Sequence, residues 1–268
     1  MARYQVILAY DGAGFTGSQK QANSRTVQGE LEKALHEIGW SGKSVLMAGR
    51  TDTGVHASGQ VASFDFEWAH STEQLLRALN AKLPTDLVVR RLQAAPADFH
   101  PRFDATSRTY QYRLFCENIR DPFRERFAWR VWPAMDGDTL IRNADLFLGT
   151  HDFATFGSPT SEKGTTVRTV TNSEWKKRQN GEWQFEVRAD AFLYRMVRRL
   201  VFIQVAAAQK RCSAEEIRNA LNGHGKLPSG LAPAHGLTLT DVNYGSRKKK
   251  LKKRRDESAT EDVLSESR

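Results

Sequence analysis

Twice along this chain, runs with the period of a strand and runs with the period of a helix follow one another in the same order, and that order admits few folds. In the first half, residues 4–10 (YQVILAY) read as a strand closed by Asp11-Gly12. Residues 27–38 set Val27, Leu31, Leu35 and Ile38 at helical spacing behind Thr26, a suitable N-cap. Residues 44–48 and 60–66 read as strands, with 49–57 as the loop between them. Ser71-Thr72-Glu73-Gln74 forms a capping box ahead of Leu75, Leu76, Leu79 and Leu83, and Pro84 stops that helix. Residues 87–92 return as a strand, so the order is βαββαβ.

The second half repeats it. Residues 108–115 alternate as a strand, 138–148 read as a helix ending at Gly149, and 167–177 and 183–188 are strands joined across Asn180-Gly181, a hairpin signal. A long helix is predicted over 191–209, then a short one opened by the capping box Ser213-Ala214-Glu215-Glu216, then a strand over 237–244. The expected fold is α+β: two ferredoxin-like, RRM-like βαββαβ halves, each an antiparallel sheet with helices on its outer face, the two sheets side by side. The halves are expected at 1–104 and 105–245, and the charged segment 246–268 is expected to be disordered. No letter-by-letter repeat links the halves, so the duplication is one of topology.

Composition narrows the function classes. Six Trp, 14 Phe and 6 Tyr supply aromatic material to bury, which excludes a wholly disordered chain. No run of 18 apolar residues exists to span a membrane, and the N-terminus runs into a strand pattern without a signal-peptide core. Cys116 and Cys212 stand far apart with no C-x-x-C spacing, which fits a reducing, cytoplasmic setting. The net charge is +9; segment 246–268, with nine basic and five acidic residues, holds +4 of it and leaves +5 on the body. The body is therefore basic in its own right, as a polyanion-binding protein or simply a well-solvated one would be.

The densest cluster of chemistry is 48–57 (AGRTDTGVHA), which sets a cation, a carboxylate, an imidazole and two glycines in one loop between apolar strands. Taken alone, it reads either as a ligand site or as a tight turn in which Arg50 pairs with Asp52. Residues 49–57 resemble the G-R-T-D-A-G-V-H-A loop of the tRNA pseudouridine synthase A family, with Thr53 in place of Ala. Residues 10–19 (YDGAGFTGSQ) resemble the family's Y-D-G-x-x-F-x-G-W-Q, with Ser18 in place of Trp. Five further blocks follow in order: 80–84 (NAKLP), 99–112 (FHPRF through RTYQY), 149–153 (GTHDF), 192–198 (FLYRMVR, with Arg199 where Asn is usual) and 232–237 (APAHGL). Together they span residues 4–244, and the tail lies outside the resemblance.

The resemblance implies a cytoplasmic, cofactor-free isomerase that converts uridine to pseudouridine in the tRNA anticodon stem-loop, at positions 38, 39 and 40. It also implies a homodimer with one tRNA across both subunits. Asp52 matches the family's nucleophile and Arg198 the arginine that pairs with it. A cation within about 4–6 Å of a carboxylate favours its ionised form and offsets the cost of burying it. Tyr110 matches the active-site tyrosine, placed to stack on an everted uracil; since Tyr110 and Tyr112 share a strand face, one of them should pack and the other face substrate. Arg50 would hold the target nucleotide out of the stem, and His56 and Arg108 are candidates for sugar or phosphate contact, with Arg102, Arg168 and Lys82 as further cations. His56 reads equally as a structural loop residue, Arg198 as a snorkelling one, and His151-Asp152 as a turn cap. No P-loop, no G-x-G-x-x-G after a strand and no H-E-x-x-H or H-x-E…P-C-x-x-C pattern occurs, so the sequence asks for neither nucleotide cofactor nor metal. Two rivals remain: a sister synthase acting on other uridines, and a non-catalytic RNA-binding module on the same sheets.

The basic run 247–255 is a candidate for tRNA backbone contact, nuclear import or mere solubility. If it neutralises phosphates, deleting 246–268 flattens the log–log salt dependence of tRNA binding by about 0.7–0.9 for each phosphate no longer neutralised. Filter binding across a salt series measures this, and an unchanged slope rules out a phosphate role.

Overall fold

The computed structural model describes residues 1–159 and 164–245. The basic segment 246–268 lies outside the described residues.

The first half builds β1 (Ala2–Tyr10), α1 (Val27–Glu37), β2 (Leu46–Met47), β3 (His56–Phe66), α2 (Thr72–Lys82) and β4 (Leu87–Ala95). Along β1, Tyr4, Val6, Leu8 and Tyr10 are buried while their neighbours are not, the period-2 pattern of a strand covered on one face. Val27, Leu31 and Leu35 of α1 and Leu75 and Leu79 of α2 close over that face. Thr26 caps α1 through the Gly29 N–H, and the Ser71/Gln74 box opens α2.

The second half builds β5 (Ser107–Cys116), β6 (Trp129–Val131), α3 (Gly137–Ala144), β7 (Gly149–Asp152), β8 (Val167–Lys177), β9 (Trp183–Ala189), α4 (Met196–Ala208), α5 (Ala214–Leu221) and β10 (Leu237–Asn243). Two short strands, β6 and β7, escape the sequence pattern because three or four residues are too few to show a period. The helix predicted from 191 begins only at Met196. Arg195 takes a left-handed backbone (φ 62°, ψ 5°), and the Tyr194 N–H donates to the Ser158 carbonyl at 2.9 Å, so neither can continue a helix backwards. From Met196 on, α4 is buried almost all round, which is why its apolar residues show no clean stripe.

The two expected sheets are fused into one of ten strands, ordered β4-β1-β3-β10-β5-β9-β8-β7, with β2 on β3 and β6 on β5. The join is a short parallel ladder in which Thr238 faces His56 and Leu239 faces Ala57. On its other edge β10 runs antiparallel to β5, with Leu239 opposite Tyr110. At this seam a Cβ on Gly59 would stand 2.1 Å from the Thr240 carbonyl oxygen, so only glycine lets β3 and β10 approach. The cores cross the seam as well. Leu239 and Val242 of β10 pack with the first half, Val55 packs with the second, and the Tyr110 ring touches both.

Candidate active site

The loop between β2 and β3 is held twice on its β2 side. The Gln60 Nε2 donates to the Gly49 carbonyl at 2.9 Å, and the Tyr10 hydroxyl and Thr51 Oγ1 share a hydrogen bond of 2.9 Å. After Asp52 the chain turns: the Val55 N–H donates to the Asp52 carbonyl at 3.1 Å, and Gly54 supplies the positive φ (77°) that the third position of such a turn requires. Asp52 is thus presented at the tip, its side chain 23% exposed.

Arg198, the third residue of α4, meets it there, with Nη1 donating to Asp52 Oδ2 at 3.0 Å. The same guanidinium donates through Nε to the Ala232 carbonyl at 2.8 Å, and the Ala232 N–H donates to the Arg198 carbonyl at 3.2 Å. The cation is therefore fixed before anything binds. Asp52 Oδ1 has no hydrogen-bond partner among the described residues. The pair, drawn from residues 146 apart in the chain, fixes a carboxylate with one oxygen open, a group that can accept a proton or attack a carbon.

Tyr110 and Tyr112 divide as their shared strand face suggests. Tyr112 is wholly buried and donates to the Pro233 carbonyl at 2.8 Å. Tyr110 is half-buried, its ring edge-on to Phe192 at 5.1 Å, and its hydroxyl has no partner among the described residues. Burial pushes the Tyr110 phenol well above its ordinary range; Tyr10 and Asp52 add to this and Arg108 opposes it. Burial likewise pushes Tyr10 up to about 12. Both phenols are neutral at any physiological pH.

The remaining predicted residues fall into two groups. Arg50 is exposed and has no hydrogen bond or ion pair among the described residues; Asp52 takes Arg198 in its place. Arg108 is spent on backbone. Its Nη2 donates to Ala48 O at 3.2 Å and Arg102 O at 2.6 Å, and its Nη1 to Asp190 O at 3.0 Å and Ala105 O at 3.4 Å. Burial draws its guanidinium below the ordinary range. It staples three loops beside the site, which leaves its fork little to offer a phosphate. His56 is 4% exposed. Its Nδ1 accepts from the Gly12 N–H at 2.9 Å and its Nε2 donates to the His235 carbonyl at 3.1 Å, so both ring nitrogens are engaged inside the protein. Burial holds the imidazole below its usual range although Asp11 Oδ1 stands 3.1 Å from Nδ1, so the ring is neutral. Arg168 donates to the Thr165 carbonyl at 2.8 Å, and Lys82 lies 3.6 Å from Glu37. Among the described residues, no three His, Cys, Asp or Glu side chains stand together as metal ligands, and no helix is long and apolar enough to cross a membrane.

Sequence reasoning misses Ser18, which reads there only as the absence of a Trp. Ser18 is 1% exposed. Its Oγ accepts from the Thr51 N–H at 2.8 Å, and its own N–H donates to the Thr51 carbonyl at 3.1 Å, a two-bond clasp on the residue before Asp52. Arg199, the other departure, donates to the Pro228 carbonyl at 2.5 Å and the Gly230 carbonyl at 2.9 Å, tying α4 to the segment that carries Ala232. No local signal marks either residue, since the motifs around them already carry polar and charged positions.

The family model described as tRNA pseudouridine synthase matches residues 6–104 and 144–245. Three curated relatives carry the name tRNA pseudouridine synthase A. That of Listeria innocua is 40% identical, covering 91% of this chain and 100% of that protein. That of Shouchella clausii is 38% identical, covering 91% and 94%, and that of Chloroflexus aurantiacus is 38% identical, covering 91% and 89%. Among solved structures, one described as the crystal structure of a Cbf5-Nop10-Gar1 complex aligns at 14% identity and a TM-score of 0.36, over 88% of this chain and 48% of that one.

Replacing Ser18 with Ala strands the buried Thr51 N–H, and urea unfolding should show a loss of about 1–3 kcal/mol at unchanged slope. His56 sets a pH dependence. Its folded pKa lies below the ordinary 6.5, so the unfolded chain binds the proton first, and stability is full above that value and falls as the pH drops through it. His235, also lowered by burial, adds to the same trend. Urea midpoints measured from pH 7.5 to 5 should decline for the wild type and decline less for His56→Gln.

Proposed function

Because this chain belongs to the tRNA pseudouridine synthase family, an isomerase family acting on tRNA, we propose that it modifies uridines of the anticodon stem-loop, at positions 38, 39 and 40, with Asp52 as the nucleophile. The observation that carries the proposal is the Asp52–Arg198 pair at 3.0 Å, with Oδ1 left open beside a half-buried tyrosine. The reaction moves one carbon–nitrogen bond to a carbon–carbon bond. The C1′–N1 bond breaks, the detached uracil rotates, C1′ bonds to C5, the C5 proton leaves to solvent and N1 takes one up. Atoms and electrons balance without any redox partner.

Each residue then has a role its surroundings support. Arg198 holds the carboxylate aimed, with Oδ2 occupied and Oδ1 open to form a covalent bond to the nucleotide that breaks again before the product leaves. The Tyr110 ring stacks on the everted uracil and keeps the free base from escaping while the glycosidic bond is open. Its phenol, held neutral by burial, adds no second anion beside Asp52. Arg50, exposed two residues from Asp52, is free to hold the extracted nucleotide out of its stem. Arg108 and His56 act beneath the loop: one staples its neighbours, the other pins Gly12 and His235. The family reading also supports a cytoplasmic homodimer with one tRNA lying across both subunits, and two domains divided at 104/105.

Asp52→Asn preserves an oxygen for the Arg198 hydrogen bond, so fold and tRNA affinity should stay near wild type. Release of tritium from tRNA labelled at uridine C5 should fall by more than about 10³-fold, the scale on which losing a nucleophile acts. Appreciable release by the mutant sinks the nucleophile role. Mapping pseudouridine in tRNA from a deletion strain tests the positions: their loss at 38–40 supports the proposal, and loss elsewhere points to a sister activity.

A further inference from the structure

The loop leading into α4 carries two side chains that the chemistry above leaves idle. Tyr194 is 47% exposed, and the Arg195 Cζ lies 4.7 Å from its ring centroid. Arg195 is exposed too, and neither side chain has a hydrogen bond or ion pair among the described residues. The Arg195 backbone is left-handed (φ 62°), a strained state for a long side chain that glycine or asparagine enters more easily. The neighbours hold it there: Leu193 is 4% and Met196 0% exposed, and the Tyr194 N–H is bonded to Ser158.

Strain of this kind persists where the conformation serves something other than stability. Here it arranges a cation over an exposed aromatic ring in a fixed loop, the combination that single-stranded nucleic-acid binders use to stack a base and neutralise its phosphate. Its place in the chain points the same way. Phe192, two residues before Tyr194, packs on Tyr110, and Arg198, three residues after Arg195, binds Asp52. We propose that Tyr194 and Arg195 form a stacking subsite for an RNA nucleotide flanking the target uridine, an inference that rests on the synthase reading and adds a contact outside its chemistry.

The test uses the full chain with C5-tritiated tRNA. Tyr194→Ala should raise KM about tenfold and leave kcat within about twofold, since the loss of one stacked base weakens binding without touching the reacting atoms. Tyr194→Phe, which keeps the ring, should match wild type, and both variants should melt with it. Filter binding across salt should separate the pair: Tyr194→Ala keeps the wild-type slope, whereas Arg195→Ala lowers it by about 0.7–0.9. A Tyr194→Ala KM within about twofold of wild type, or equal losses in the Ala and Phe variants, overturns the proposal. If wild-type protein releases no tritium, the synthase reading fails by itself. The subsite is then judged on binding of the same tRNA, where Tyr194→Ala must still bind about tenfold more weakly.

Discussion

Two residue pairs of parallel ladder, Thr238 with His56 and Leu239 with Ala57, join the halves of this sheet, and the site depends on them. Leu239 faces Ala57 on one side and Tyr110 on the other. Adjacent strands lie about 4.8 Å apart, so this register sets Tyr110 about 10 Å from the start of β3, close to the loop that carries Asp52. A slip of one residue in β10 would turn Leu239 away from the first-half core. The seam therefore converts a chain separation of 58 residues between Asp52 and Tyr110, and of 146 between Asp52 and Arg198, into one local geometry. Gly59 makes this possible by leaving no side chain between β3 and β10.

The ion pair at the site is better understood as an instrument of position than of stability. Both partners are partly shielded, the carboxylate 23% and the guanidinium 15% exposed, and pairs of this kind often recover little more than their desolvation cost. Fixation is the gain. Arg198 is held by Ala232 through two further hydrogen bonds, Arg199 ties the same segment to α4, and Ser18 grips Thr51 from the other side. Asp52 thus approaches a ligand with its charge compensated and its orientation set, so binding energy need not be used to arrange it.

Much of this is legible in the residues. The capping boxes at Ser71 and Ser213 form where the sequence pattern puts them, because a cap depends on four consecutive residues and on nothing distant. That Tyr110 and Tyr112 share a strand face follows from period-2 alternation, but which of them is wholly buried is set by distant partners, Pro233 for Tyr112 and Phe192 for Tyr110. What the sequence does not show is set by contacts between remote segments. The start of α4 moves to Met196 because Ser158 claims the Tyr194 N–H. His56 and Arg108 look like ligand contacts by residue type, yet their partners are backbone groups at Gly12, His235, Ala48 and Asp190, which no local pattern reveals. Ser18 reads as a missing Trp because its worth lies in the Thr51 amide, 33 residues away.

On the proposed mechanism, the arginines around Asp52 divide into two kinds, one for a fixed charge and one for a moving nucleotide. Arg198 and Arg108 are tied at several points, so their side-chain entropy is already lost in the free protein. Arg50 is exposed and, among the described residues, without hydrogen bond or ion pair, so it keeps its rotamer freedom until a ligand arrives. A fixed cation suits a charge that must stand at one place when a bond breaks. A loose one suits a phosphate whose position changes as the nucleotide swings out, and the ordering cost of about 1.5–2 kcal/mol per side chain then falls on the binding step rather than on the chemistry. On that mechanism, tying Arg50 as well would aim the carboxylate no better and would leave the moving nucleotide without a guide, whereas freeing Arg198 would let the carboxylate wander as the base departs.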